Sequence, residues 1–121
     1  MDMSQEAKHI NQTLHGFFKK EPVILKPMSE GDSLKNEVVV YEAEDENHLL
    51  QVMYEESMNE MNIVMKNNQE KHILELLAPR PSIAKTFESE NIKTLRIGFK
   101  DDSAAEIRLE PNISVYYYVE R

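Results

Sequence analysis

Residues 95–119 read LRIGFKDDSAAEIRLEPNISVYYYV, and their alternation decides the fold class. Leu95, Ile97 and Phe99 alternate with Arg96 and Gly98. Ala105, Ile107 and Leu109 alternate with Glu106 and Arg108, and Ile113, Val115, Tyr117 and Val119 alternate with Ser114, Tyr116 and Tyr118. Successive side chains of a strand point to opposite faces, so a period of two marks a strand with one buried face. Asp101-Asp102-Ser103 and Pro111-Asn112 supply the turns between the runs. The stretch therefore reads as an antiparallel meander of three strands. Tyr117 falls with the core set, while Tyr116 and Tyr118 share the opposite face.

The preceding segment has two readings. In residues 46–66, Leu50, Met53, Tyr54, Met58, Met61 and Met65 share a helical face, and Lys66-Asn67-Asn68 resembles a stop signal. Leu49, Val52 and Ile63 would then fall on other faces. As strands, His48, Leu50, Val52 and Tyr54 lie on one side, and Met61, Ile63 and Met65 follow a break at 57–60. Asn67-Asn68-Gln69 then turns the chain into His72–Leu77, which runs towards Pro79. Turn signals roughly every eight to twelve residues favour strands, whereas abundant Met, Leu and Glu favour a helix. Strands are the expectation for 46–77, with a helix as the alternative. Pro79-Arg80-Pro81 reads as a rigid crossing, too short for a domain linker.

Residues 4–20 predict an amphipathic helix. Ala7, Ile10, Leu14, Phe17 and Phe18 form one stripe, Ser4 can cap it, and Lys19 and Lys20 suit its last turn before Glu21-Pro22. Val23–Lys26 is a short strand between prolines, 28–36 a loop, and Val38–Tyr41 a further strand. The expected class is α+β: an N-terminal amphipathic helix packed on an antiparallel β-meander, as a sheet or small barrel of about six to eight strands. The chain is expected to form a single domain over 1–121, with the helix at 4–20 and the β-rich body at 23–119.

Charge is unevenly spread. The chain has 22 acidic and 14 basic residues. No Lys or Arg occurs between Lys35 and Lys66, where Glu37, Glu42, Glu44, Asp45, Glu46, Glu55, Glu56 and Glu60 accumulate. Without these eight the remainder carries 14 acids and 14 bases, so the formal charge of −8 resides in one segment. A surface of one sign steers oppositely charged partners and rejects like charges.

Most chemistry is excluded by residue type. With no Cys there is no disulfide, thiolate metal site or Cys nucleophile. His9, His15, His48 and His72 show no metal-ligand spacing. Gly16, Gly31 and Gly98 cannot build a phosphate-binding loop, and no serine sits in a nucleophile elbow. Paired carboxylates are plentiful, which makes them uninformative about acid–base catalysis. Scattered basic residues argue against direct nucleic-acid binding. The acidic start lacks a signal peptide's features, and no run is long enough to span a membrane.

The expectation is a small, cytoplasmic, non-enzymatic interaction protein without cofactor or metal. As an inhibitor, adaptor or accessory subunit it would bind a basic protein partner, a nucleic-acid-mimicking inhibitor being one special case. Glu42, Glu44, Asp45, Glu46, Glu55, Glu56 and Glu60 are the candidate contacts, the nearby methionines add an adaptable apolar component, and Tyr116 and Tyr118 are further anchors. Exposed strand edges permit a homodimer. The alternative is a small β-barrel that encloses an apolar ligand.

Overall fold

The computed structural model describes residues 5–25, 38–55, 60–69 and 71–119. The predicted helix is α1 (Gln5–Phe18). Its stripe is buried at Ile10, Leu14, Phe17 and Phe18, which fixes the face turned to the body. The helix stops earlier than expected. Lys19 takes a left-handed φ of 58°, and its amide donates to the His15 carbonyl at 3.0 Å. Lys19 and Lys20 therefore follow the helix rather than closing its last turn. The expected Ser4 cap and the 28–36 loop lie outside the described residues.

Nine strands follow among the described residues, in two antiparallel sheets. The first has the order β1 (Val23–Leu25), β2 (Val38–Glu44), β3 (His48–Glu55), β4 (Glu60–Asn67) and β5 (His72–Pro79). The second has β6 (Pro81–Ser89), β7 (Ile92–Phe99), β8 (Ser103–Arg108) and β9 (Ser114–Val119). Each sheet is a meander in chain order, and Arg80 alone links β5 to β6. The helical alternative for 46–77 is thus corrected. Pairing Leu50 with Met65, Val52 with Ile63, and Tyr54 with Met61 puts the apolar set on one face. Leu50, Val52, Tyr54, Met61 and Ile63 are all buried there, at about 1.5–3 kcal/mol per large aliphatic side chain. That gain outweighs the weaker helix preference of Met, Leu and Glu.

The inner faces of both sheets and the apolar stripe of α1 form one core. It joins Leu14, Phe17, Phe18, Tyr41, Leu50 and Ile63 to Ala84, Leu95, Ile97 and Ile107. Phe18 stacks on Tyr41, with ring centroids 5.8 Å apart. The Tyr41 hydroxyl donates to Asn11 Oδ1 at 2.8 Å. The two sheets do not close into the barrel that was one expectation, and buried residues of both inner faces belong to one core cluster.

Two further differences arise at sheet edges. β6 was not foreseen, because as an edge strand it exposes Lys85, Thr86, Phe87, Glu88 and Ser89 on both faces. Tyr117 points inward by register but remains 41 % exposed at the edge of β9, and Val119 is 54 % exposed. Tyr117 meets the rim of the core through the Phe99 ring, with centroids 6.4 Å apart.

Candidate functional site

Register decides which acidic residues meet. On the outer face of β1–β5, one row across the strands holds Glu42, Gln51, Val64 and Glu75. The next holds Val23, Val40, Met53, Asn62 and Leu77. Glu44, Leu49 and Lys66 lie beyond the first row, and Glu60, across from the position of Glu55, lies beyond the second. Among the strand residues whose side chains are described, four glutamates from three strands thus share this face: Glu42, Glu44, Glu60 and Glu75. At sheet spacings they extend over about 20 Å along the strands and about 14 Å across them. Lys66 is the one Lys or Arg in the described strands whose position falls on this face.

The apolar row gives that face a second character. Leu77 is 62 % exposed, Val23 47 %, and Met53 is half-buried between them. Val40, within the row, is only 5 % exposed, so the accessible apolar area lies at its two ends, Val23 and Leu77, with an acidic border around it. Glu75, on β5, was not among the expected contacts. It lies outside the charge run in sequence, and only the pairing of β4 with β5 brings it to Glu42's row.

The other acids divide. Glu46 is exposed in the β2–β3 turn beside a hollow bordered by Glu44, His48, Lys66 and Asn68. Asp45 is engaged in the fold. Its Oδ1 accepts the amides of Asn47 and His48 at 2.8 and 2.7 Å, and its Oδ2 accepts the Ile113 amide at 2.9 Å. The Ile113 bond, reinforced by the turn amides, lowers its pKa from the ordinary 3.8 to about 2. Glu42 accepts a bond from Gln51 Nε2 at 2.8 Å. Glu55 contributes a backbone position only, and Glu56 lies outside the described residues.

Tyr116 and Tyr118 stand on a different surface, the outer face of β6–β9. Tyr118 donates to Glu106 Oε2 at 2.7 Å and accepts from Arg96 Nε at 3.0 Å. The Glu106 bond raises the pKa of its phenol, because it stabilises the protonated form. Arg108 lies over the Tyr116 ring at 5.9 Å and donates from Nε to Thr94 Oγ1 at 3.2 Å. The tyrosines and the acidic residues therefore do not form one site. Among the described residues, no three His, Asp or Glu side chains stand close enough to hold a metal ion. No described helix is long and apolar enough to cross a membrane.

No protein-family model matches this chain, and no curated protein matches it. Among solved structures it is similar to a chain of the contact-dependent growth inhibition toxin–immunity protein complex from Klebsiella pneumoniae 342. The TM-score is 0.65 over 91 % of this chain and 91 % of that one, at 15 % sequence identity, a likeness of fold.

Proposed function

We propose that this chain is a small non-enzymatic interaction protein, and that it restrains a protein partner by covering a basic surface with the outer face of β1–β5. The convergence of Glu42, Glu44, Glu60 and Glu75 around Val23, Met53 and Leu77 carries this reading. Apolar contact supplies affinity there, and the carboxylates supply orientation and rapid association. Asp45 holds the β2–β3 turn that presents the face and is not itself a contact. An inhibitory role draws support from the fold, which resembles a chain of a toxin–immunity protein complex.

Affinity capture from the native host at low salt, followed by stepwise salt elution, tests the reading. The expected result is a basic protein released between about 50 and about 500 mM salt, where screening shortens to a few ångströms. Retention of an acidic or neutral protein through the high-salt steps would reject the assignment.

A further inference from the structure

Among the described residues, four strands lie at sheet edges: β1, β5, β6 and β9. An edge presents a row of unpaired amides and carbonyls, which proteins blunt by shortness, bulges, prolines or charges. β1 is three residues long. β5 carries Glu75, ends at Pro79 and meets a register shift between Met65 and Lys66. β6 begins at Pro81 with a register shift before Ile83 and carries Lys85 and Glu88, and its Ala84 amide donates to His9 Nε2 of α1 at 3.4 Å. β9 has none of these devices. Ser114–Val119 includes no charge and no proline, and pairs with β8 without interruption. Inward side chains also stay uncovered here. Tyr117 touches Phe99 on one side but is exposed, as is Val119, while Ala105 and Ser103, facing them on β8, are buried.

We propose that β9 is the pairing edge of a homodimer, in which a second copy adds its own β9 antiparallel about a two-fold axis at Tyr117. Such an axis keeps both inner faces on one side only if each residue faces its own kind or one an even number of positions away. The register centred on Tyr117 sets Val115 against Val119 of the second copy on the inner face, and Tyr116 against its Tyr118 on the outer. A register centred on Tyr116 would leave Val119 beyond the paired strands. Charge selects this occupant. The eight acids behind the net −8 lie between Lys35 and Lys66, and the described part of that segment belongs to the other sheet. Two copies therefore meet here without opposing those carboxylates. A lysine- or arginine-rich strand would crowd Arg96 and Arg108, which lie over the rings of Tyr118 and Tyr116. Any charged side chain at an inward position would be buried unpaired against Tyr117 and Val119. An uncharged strand with apolar residues at alternate positions fits, and β9 is such a strand. Five residues a side bury less than the roughly 1,600 Å² of a standard interface, so the dimer is a weak one. The pairing uses neither the outer face of β1–β5 nor its acids, so the inference stands without the proposed function.

Sedimentation equilibrium and amide resonances of the full chain, from about 20 µM to about 1 mM, test this. The average mass should rise from one chain towards two, with concentration-dependent shifts gathered on β8 and β9. Tyr117→Lys, which sets two cations face to face at the axis, should weaken association by at least about tenfold, and Val119→Lys by a few-fold. Val119 is more than half exposed, so the second variant reports on association even if the first disturbs the sheet. A synthetic peptide of alternating valine and threonine is titrated in parallel. Three outcomes would overturn the inference: single-chain mass throughout, association with shifts at other edges only, or association unchanged in both variants. Saturable binding of the peptide along β9 by a chain that stays monomeric would overturn it in favour of a foreign strand.

Discussion

Asp45 and Ile113 lie 68 positions apart, yet the carboxylate of one accepts the amide of the other at 2.9 Å. This bond ties the β2–β3 turn of the first sheet to the start of β9 in the second. The same carboxylate closes its own turn through Asn47 and His48. Asp45→Ala leaves three amides to find other partners, and stability should fall by about 1–3 kcal/mol. The change in urea midpoint measures it, and a midpoint unchanged by the substitution would deny the bridge.

The same carboxylate makes a pH prediction. Its pKa is lower in the folded chain than the ordinary 3.8, so the unfolded chain binds the proton more tightly. Its contribution is complete above the ordinary value and is lost as pH falls through about 2. Acid unfolding of the native chain should be steeper over that interval than that of Asp45→Asn. Superimposable acid curves would contradict the assignment.

At the alkaline end the sign reverses. Burial pushes the Tyr41 phenol up to about 12, with its hydroxyl bonded to Asn11. Stability from the neutral phenol is full below 10 and is lost as pH rises through about 12. An ultraviolet titration should show a tyrosine ionising above the rest. Tyr41→Phe should remove that step and flatten the alkaline decline.

Two backbone positions are unfavourable for their residues. Glu90, in the two-residue β6–β7 turn, has φ 53°, and Lys19 at the end of α1 has φ 58°. Left-handed conformations suit Asn and Gly better. Glu90→Asn and Lys19→Gly should each raise stability by about 0.5–1 kcal/mol. Thermal unfolding of the single and double variants checks this, with additive gains expected because the sites are independent.

These turns also show where the sequence was opaque. Alternation at Leu95–Phe99 and Ala105–Ile107 was readable because one face of those strands meets the core. β6 lacked that contrast, since Lys85 to Ser89 are exposed on both faces, and Glu90-Asn91 is a weak hairpin signal. In 46–77 the residue types suggested one structure and the spacing another, and burial of Leu50, Val52 and Tyr54 decided for strands. The charge run was plain in composition, and Glu42 and Glu44 were readable as a same-face pair. Register was needed to bring in Glu75, and tertiary contact to show Asp45 bonded to Ile113. Tyr116 and Tyr118 were correctly set opposite the core. Their separation from the acidic face depended on a chain that changes sheets at Arg80.

The most direct test of the account is the affinity of the captured partner for Glu42→Lys/Glu44→Lys, measured against Glu88→Lys, an exposed reversal on β6. Reversal on the β1–β5 face should weaken binding by at least about tenfold at low salt and reduce its salt dependence, while Glu88→Lys leaves both nearly unchanged. Equal affinities for the two variants, or binding indifferent to salt in the native chain, would contradict the claim that the acidic sheet face is the contact.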